Sequence, residues 1–143
     1  MSVQISGKYK IIDHTADIGI TVTGKNMEEV FINAARGMFS LITDLRRVRI
    51  ALNREVQVNA DNREELLVAW LNELIYIFDV EHLLFRKFDI LTLSDTNICA
   101  KAYGEKVDTN RHTIKRGIKA TTYHILEIAQ NEDGYRARVL FDI

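Results

Sequence analysis

The chain has 143 residues, 47% of them apolar and 27% charged, with 19 basic against 20 acidic side chains for a net charge of −1. This describes one folded domain over residues 1–143 and excludes both a disordered chain and one drawn to nucleic acid by its overall charge. No apolar run is long enough for a bilayer, MSVQISGKYK lacks the apolar core of a signal peptide, and the lone Cys99 fits a reduced setting, so a cytoplasmic protein is expected.

Proline is absent, which leaves the turns to Gly, Asn and Asp, as in GKN at 24–26 and NEDG at 131–134. Ile18, Ile20 and Val22 alternate with Gly19, Thr21 and Thr23, the period of a half-buried strand. After GKN the period changes: Met27, Val30, Phe31, Ala34, Ala35, Met38, Phe39 and Ile42 mark one face of a helix, with Asn26 and Glu29 as its cap. RRVRIAL and REVQVNA then alternate on either side of Asn53 and predict a hairpin. A second helix carries Leu66, Leu67, Trp70, Leu71, Leu74, Ile75 and Phe78, capped by Asn62 and Glu65. NMEEVF and NREELL look alike, but two amphipathic helices resemble each other without duplication. From Arg86 onward strands are expected at RKFDILTLS, NICAKAYG and HTIKRGIKA, then a closing hairpin of TTYHILEIA and YRARVLFDI about QNEDG. Without a regular strand–helix–strand alternation, the fold class is α+β: a single domain with two amphipathic helices packed on a mostly antiparallel β-sheet.

There is no phosphate-binding glycine loop, CxxC pair, HExxH or serine elbow. Two acidic places remain. DHTAD at 13–17 gathers Asp13, His14 and Asp17, and a polar turn in which an aspartate caps local amides explains it equally well. The sequence ends on a strand, at Asp142-Ile143, where a compact domain stopping with its last strand is the plain alternative. If that strand lies beside the start of the sheet, Asp17 and Asp142 share a pocket with the Ile143 carboxylate. Crowded like charges then call for a proton or a cation, and oxygen ligands point to Ca²⁺, Mg²⁺ or Mn²⁺ over zinc. Of the histidines, His14 is the best placed for proton transfer or for orienting a site, whereas His82 and His124 read as structural. Lys115, Arg116 and Lys119 in KRGIKA suit a phosphate or acidic partner, or else a lysine-protected strand edge. RRVR at 46–49 reads as a solvated run, without the aromatics that single-strand binders interleave.

Four separated stretches, YKIIDHTADIGITVTG, EEVFINAARGMFSLITD, IKATTYH and RVLFDI, together and in this order resemble the archease family. The middle of the chain, from about Arg46 to Asp108, matches mainly in its second helix. The resemblance implies a protein cofactor of the RtcB-type RNA ligase, which joins tRNA exon halves; tRNA is met through the ligase. It also implies promotion of ligase guanylylation and of repeated turnover, in a reaction that needs GTP and metal. The family's metal site, carried over, is Asp17, Asp142 and a main-chain oxygen of Ile143, with Ca²⁺ as the ion expected in a structure and Mg²⁺ or Mn²⁺ as alternatives. Lys119 matches a motif position, and Asp13 and His14 orient the site or touch the ligase. Two other readings compete: a stand-alone metal-dependent hydrolase with His14 as base, and an RNA-binding or chaperone-like module using basic strands.

Overall fold

The computed structural model describes residues 2–6, 9–13 and 17–143, with 2–6, 12, 13, 124 and 125 as backbone only. In chain order it holds β1 (Ser2–Ser6), β2 (Tyr9–Asp13), β3 (Asp17–Gly24), α1 (Met27–Ile42), β4 (Leu52–Asn59), α2 (Arg63–Glu81), β5 (Leu83–Leu93), β6 (Asn97–Lys106), β7 (Ala120–Asn131) and β8 (Gly134–Asp142). The α+β class holds, but there are two antiparallel sheets where one was expected. Five strands run in the order β1-β2-β3-β8-β7, and three in the order β4-β6-β5. Both helices lie between the sheets: α1 touches β2, β3 and β8 on one side and β5 on the other, and α2 touches β7, β4, β5 and β6.

That placement explains why α1 is buried beyond its predicted stripe. Asn33, Gly37, Ser40 and Leu41 are covered as well, since each side of the helix meets a sheet. Gly37 permits the close approach: a Cβ there would stand 3.1 Å from Ile20 Cδ1 and 3.3 Å from Tyr9. Both helices start as expected, with Asn26 Oδ1 and Asn62 Oδ1 each accepting from the amide three residues on, at 2.9 Å. Between the layers Trp70 donates its indole N–H to the Phe31 carbonyl at 3.1 Å, and Phe39, Phe85, Phe88 and Trp70 meet mostly edge-on.

The hairpin predicted about Asn53 does not form. Leu45–Arg47 is a 3₁₀ turn, residues 48–51 are irregular, and Asn53 lies inside β4 opposite Tyr103. Two carboxylates, one adjacent and one distant in the chain, take the donors of this segment. Asp44 accepts from the Arg46 amide and from its guanidinium, folding RRVR back on itself, and this pairing holds the Asp44 carboxyl down at about 2. The next free amide, Arg49 N–H, goes to the Glu105 carboxylate at 2.6 Å instead of to a strand.

HTIKRGIKA is likewise no strand before Ala120; residues 112–119 form an irregular strap across the end of α1. That helix has no basic residue in its last turn. The strap supplies what is missing: Lys115 N–H donates to Ile42 O at 2.7 Å, Arg116 to Leu41 O at 2.8 Å, and Lys115 Nζ to Ser40 O at 3.1 Å. Three orphan carbonyls at the negative end of the helix thus gain donors, two of them cationic. Lys115 and Arg116 are therefore helix-capping residues.

At its start the strap is held by a buried acid, Glu105. His112, which drew no attention in the sequence, accepts from Asp108 N–H through Nδ1 at 2.9 Å. The hydrogen-bond network therefore assigns the ring proton to Nε2, 3.0 Å from Glu105 Oε2. Burial alone would raise the Glu105 carboxyl, but the Arg49 amide, the Arg111 guanidinium and His112 outweigh it and hold it below the usual value. A depressed carboxyl stabilises the fold fully above its unfolded value, near 4.3, and loses that contribution as pH falls through its folded one. Glu105→Gln is therefore expected to cost about 2 kcal/mol at neutral pH. Urea midpoints measured through the acid range should fall less steeply for this variant than for the wild type, and equal slopes would refute the assignment.

No helix among the described residues is long and apolar enough to cross a membrane.

Candidate functional site

The alternation that buries Ile18, Ile20 and Val22 turns Asp17, Gly19 and Thr21 to the outer face of the five-stranded sheet. In β8, burial of Ala137, Val139 and Phe141 does the same for Arg138, Leu140 and Asp142. β3 begins at Asp17 and β8 ends at Asp142, and the antiparallel register makes these two residues direct partners. Their Cβ atoms therefore stand about 4.5–5.5 Å apart on one face. A one-residue slip would send both to the core, so the buried face holds them in place.

Asp17 is half-buried, Asp142 exposed, and Ile143 is 40% exposed. On the far side of β8, Ala120 of β7 pairs with Asp142, and the Lys119 amide donates to the Asp142 carbonyl at 2.8 Å. The structure thus brings Asp17, Asp142, Ile143 and Lys119 together, with the Lys119 side chain exposed. Asp13 ends β2 with its backbone opposite Ile18, while His14 lies outside the described residues. His82 is the left-handed cap of α2, at φ 58°, and His124 is described as backbone only.

Two carboxylates facing each other across a strand pair repel, and a cation between them removes that cost. The donors suit a hard ion, since only oxygens are present. Among the described residues no three His, Cys, Asp or Glu side chains converge, so such an ion would need main-chain oxygen or water to complete its shell. Because the Asp142 carbonyl already accepts from Lys119, the next one, of Ile143, is the freer donor.

Sequence reasoning missed Asn72, which holds the start of β7 from α2. Its Oδ1 accepts the Thr121 amide at 2.7 Å and so fixes the residues flanking Ala120. The available signal was a lone amide within the apolar run of the second helix.

The model of the Archease protein family (MTH1598/TM1083) matches residues 9–143. The chain belongs to the archease family. It is 41% identical to Protein archease of Methanosarcina barkeri over 140 residues, 95% of this chain and 96% of that one. To Protein archease of Sulfolobus acidocaldarius it is 36% identical over 137 residues, 95% and 99% of the two chains. Among solved archease-like folds, protein 1598 of Methanobacterium thermoautotrophicum superposes with a TM-score of 0.81 at 36% identity, covering 94% of this chain and 98% of its own. An archease from Thermotoga maritima, described as a possible chaperone, gives a TM-score of 0.60 at 20% identity over 92% and 94%, a likeness of fold.

Proposed function

We propose that this chain is an activating cofactor of an RtcB-type RNA ligase, with no stand-alone catalysis, working in the cytoplasm. In this reading it promotes guanylylation of the ligase and repeated turnover in joining RNA 3′-phosphate to 5′-hydroxyl ends, and meets tRNA through the ligase. The observation that carries it is the register of Asp17 against Asp142, which unites two motif stretches from opposite ends of the chain at a solvent-facing sheet end. Asp17 and Asp142 would hold a divalent ion, calcium in the first instance and magnesium or manganese otherwise, with the Ile143 main-chain oxygen as third ligand. When bound, that ion supplies positive charge where phosphate oxygens gather. The chain's own residues hold the site: Lys119 N–H fixes the Asp142 carbonyl, and Asn72 fixes the neighbouring strand. Lys119 offers an exposed cation beside it, and Asp13 and His14 complete the motif as orienting or ligase-contacting residues.

The test is single-turnover guanylylation of a ligase of this type with GTP, with and without the protein. Acceleration of at least about tenfold, equivalent to about 1.4 kcal/mol of barrier, is expected, with no turnover by the protein alone. An active ligase that ignores the folded protein would refute the reading.

A further inference from the structure

The outer face of the five-stranded sheet changes character along its strands. Its first row is acidic, Asp17–Asp142–Ala120, and the next is neutral, Gly19–Leu140–Thr122. Two residues further on it becomes basic: Lys10–Thr21–Arg138–Glu127, then Thr23–Arg136–Ala129. Lys10 and Arg136 are exposed and Arg138 is half-buried. Among the described residues none of the three forms a salt bridge, and Glu127 is the one carboxylate in these two rows.

Edge protection does not explain them, because β3 and β8 are central strands with both neighbours in place. Among the described residues the two basic rows hold no aromatic or large aliphatic side chain to anchor a protein partner. Leu140 is only 3% exposed; of the exposed apolar residues, Tyr123 in β7 and Ile143 beside the acidic row lie outside the two basic rows, and Ile50, Tyr76, Val80, Leu91 and Ile114 lie off this sheet. What the rows offer is cations beside threonine hydroxyls, with two arginines a fixed two residues apart. On a strand that step is about 6.6 Å, comparable to the step between phosphates of an extended single strand. Arginine's fork of donors also suits phosphate oxygens in pairs.

We propose that this basic half of the sheet face binds the phosphodiester backbone of single-stranded RNA, with Arg136 and Arg138 on successive phosphates and Lys10 flanking them. The carboxylates at the other end repel phosphate and confine the strand to the basic rows. Binding is sequence-independent and weak, in the range of about 10⁻⁴ to 10⁻⁶ M expected for backbone contacts alone. The inference requires neither the ligase nor a metal ion, so it stands or falls apart from the activator role.

The test is fluorescence anisotropy of a labelled oligouridylate with the full chain in chelator, over a series of salt concentrations. With three contacts, log K should fall against log salt with a slope near about −2, and Arg136→Gln or Arg138→Gln should each flatten it by about 0.7 and weaken low-salt binding about fivefold. Arg138→Lys should keep the slope, and Lys101→Gln, on the other sheet, should change nothing. Melting curves establish that each variant is folded; if Arg138→Gln is not, the exposed Arg136 decides. The proposal is overturned by absence of binding at low salt or by binding indifferent to these arginines. Competition by polyglutamate as strong as by RNA of equal charge would overturn it too, in favour of an acidic protein surface.

Discussion

Asp17→Asn is expected to weaken the proposed divalent-ion binding severely and to leave the fold in place. The substitution keeps the shape of the side chain but removes one of two carboxylates that the β3–β8 register sets face to face. Calorimetric titration with calcium should show affinity lower by at least about 100-fold, since loss of a ligand costs no less than loss of a residue supporting one. The melting temperature separates this from general damage. Wild-type protein with calcium at about 100 times its dissociation constant should gain about 2.7 kcal/mol, and the variant no more than about 0.4 kcal/mol. Without the ion the variant should be as stable as the wild type or more so, by up to about 1 kcal/mol, because the cross-strand repulsion is relieved. Calcium uptake by Asp17→Asn at wild-type strength would remove Asp17 from the site. In the guanylylation assay the same variant should lose the stimulation, although its partner strand is untouched.

Gly104→Ala should be severely damaging. Gly104 lies in β6 opposite Phe85, just where the β5 register shifts between Phe85 and Lys87. A Cβ at this position would fall 1.8 Å from the Leu84 carbonyl oxygen and 2.9 Å from Phe85 Cα. Both are backbone atoms and cannot rotate away. Relief requires parting β5 from β6 at a point where Phe85 is fully buried in the core and Ala51 N–H bonds the Gly104 carbonyl at 2.9 Å. A loss of about 3 kcal/mol or more is expected, or about 10 °C in melting temperature for a chain of this size. Denaturant unfolding measures it, and a loss under about 1 kcal/mol would mean that the strands part with ease.

These two positions differ in how far the sequence announces them. Asp17 stands in a motif that links to Asp142 through ligand chemistry and family resemblance alike, and the alternation of Ile18, Ile20 and Val22 fixes its face. The two helices and their caps were legible for similar reasons: period, Asn at the cap, and an acidic first turn are all local. What was not legible depends on partners distant in the chain. RRVRIAL alternates as a strand should, yet Asp44 and Glu105 take its donors, and no local pattern reports a carboxylate 56 residues away. KRGIKA was open between a phosphate site and a protected edge, and turned out to cap a helix some 75 residues upstream. The second sheet was hidden for the same reason, since α1 shows one conspicuous apolar stripe while Gly37 and Ser40 are small enough to be buried without hydrophobic bulk. Gly104 did give a signal, a glycine inside a strand pattern, which marks close backbone approach.

The pairing of β3 with β8 also bears on the order in which this molecule is made. It joins a strand near the beginning of the chain to one near its end, and closing so long a loop costs entropy that only a nearly complete core can repay. The helices and the β5–β6 hairpin rest on contacts nearer in the chain. The facing aspartates come together only when that long loop closes, and an unfolded chain presents neither a paired carboxylate site nor a continuous sheet face. Ion uptake by this protein would then report that folding has finished, which ties its activity to the integrity of the whole domain.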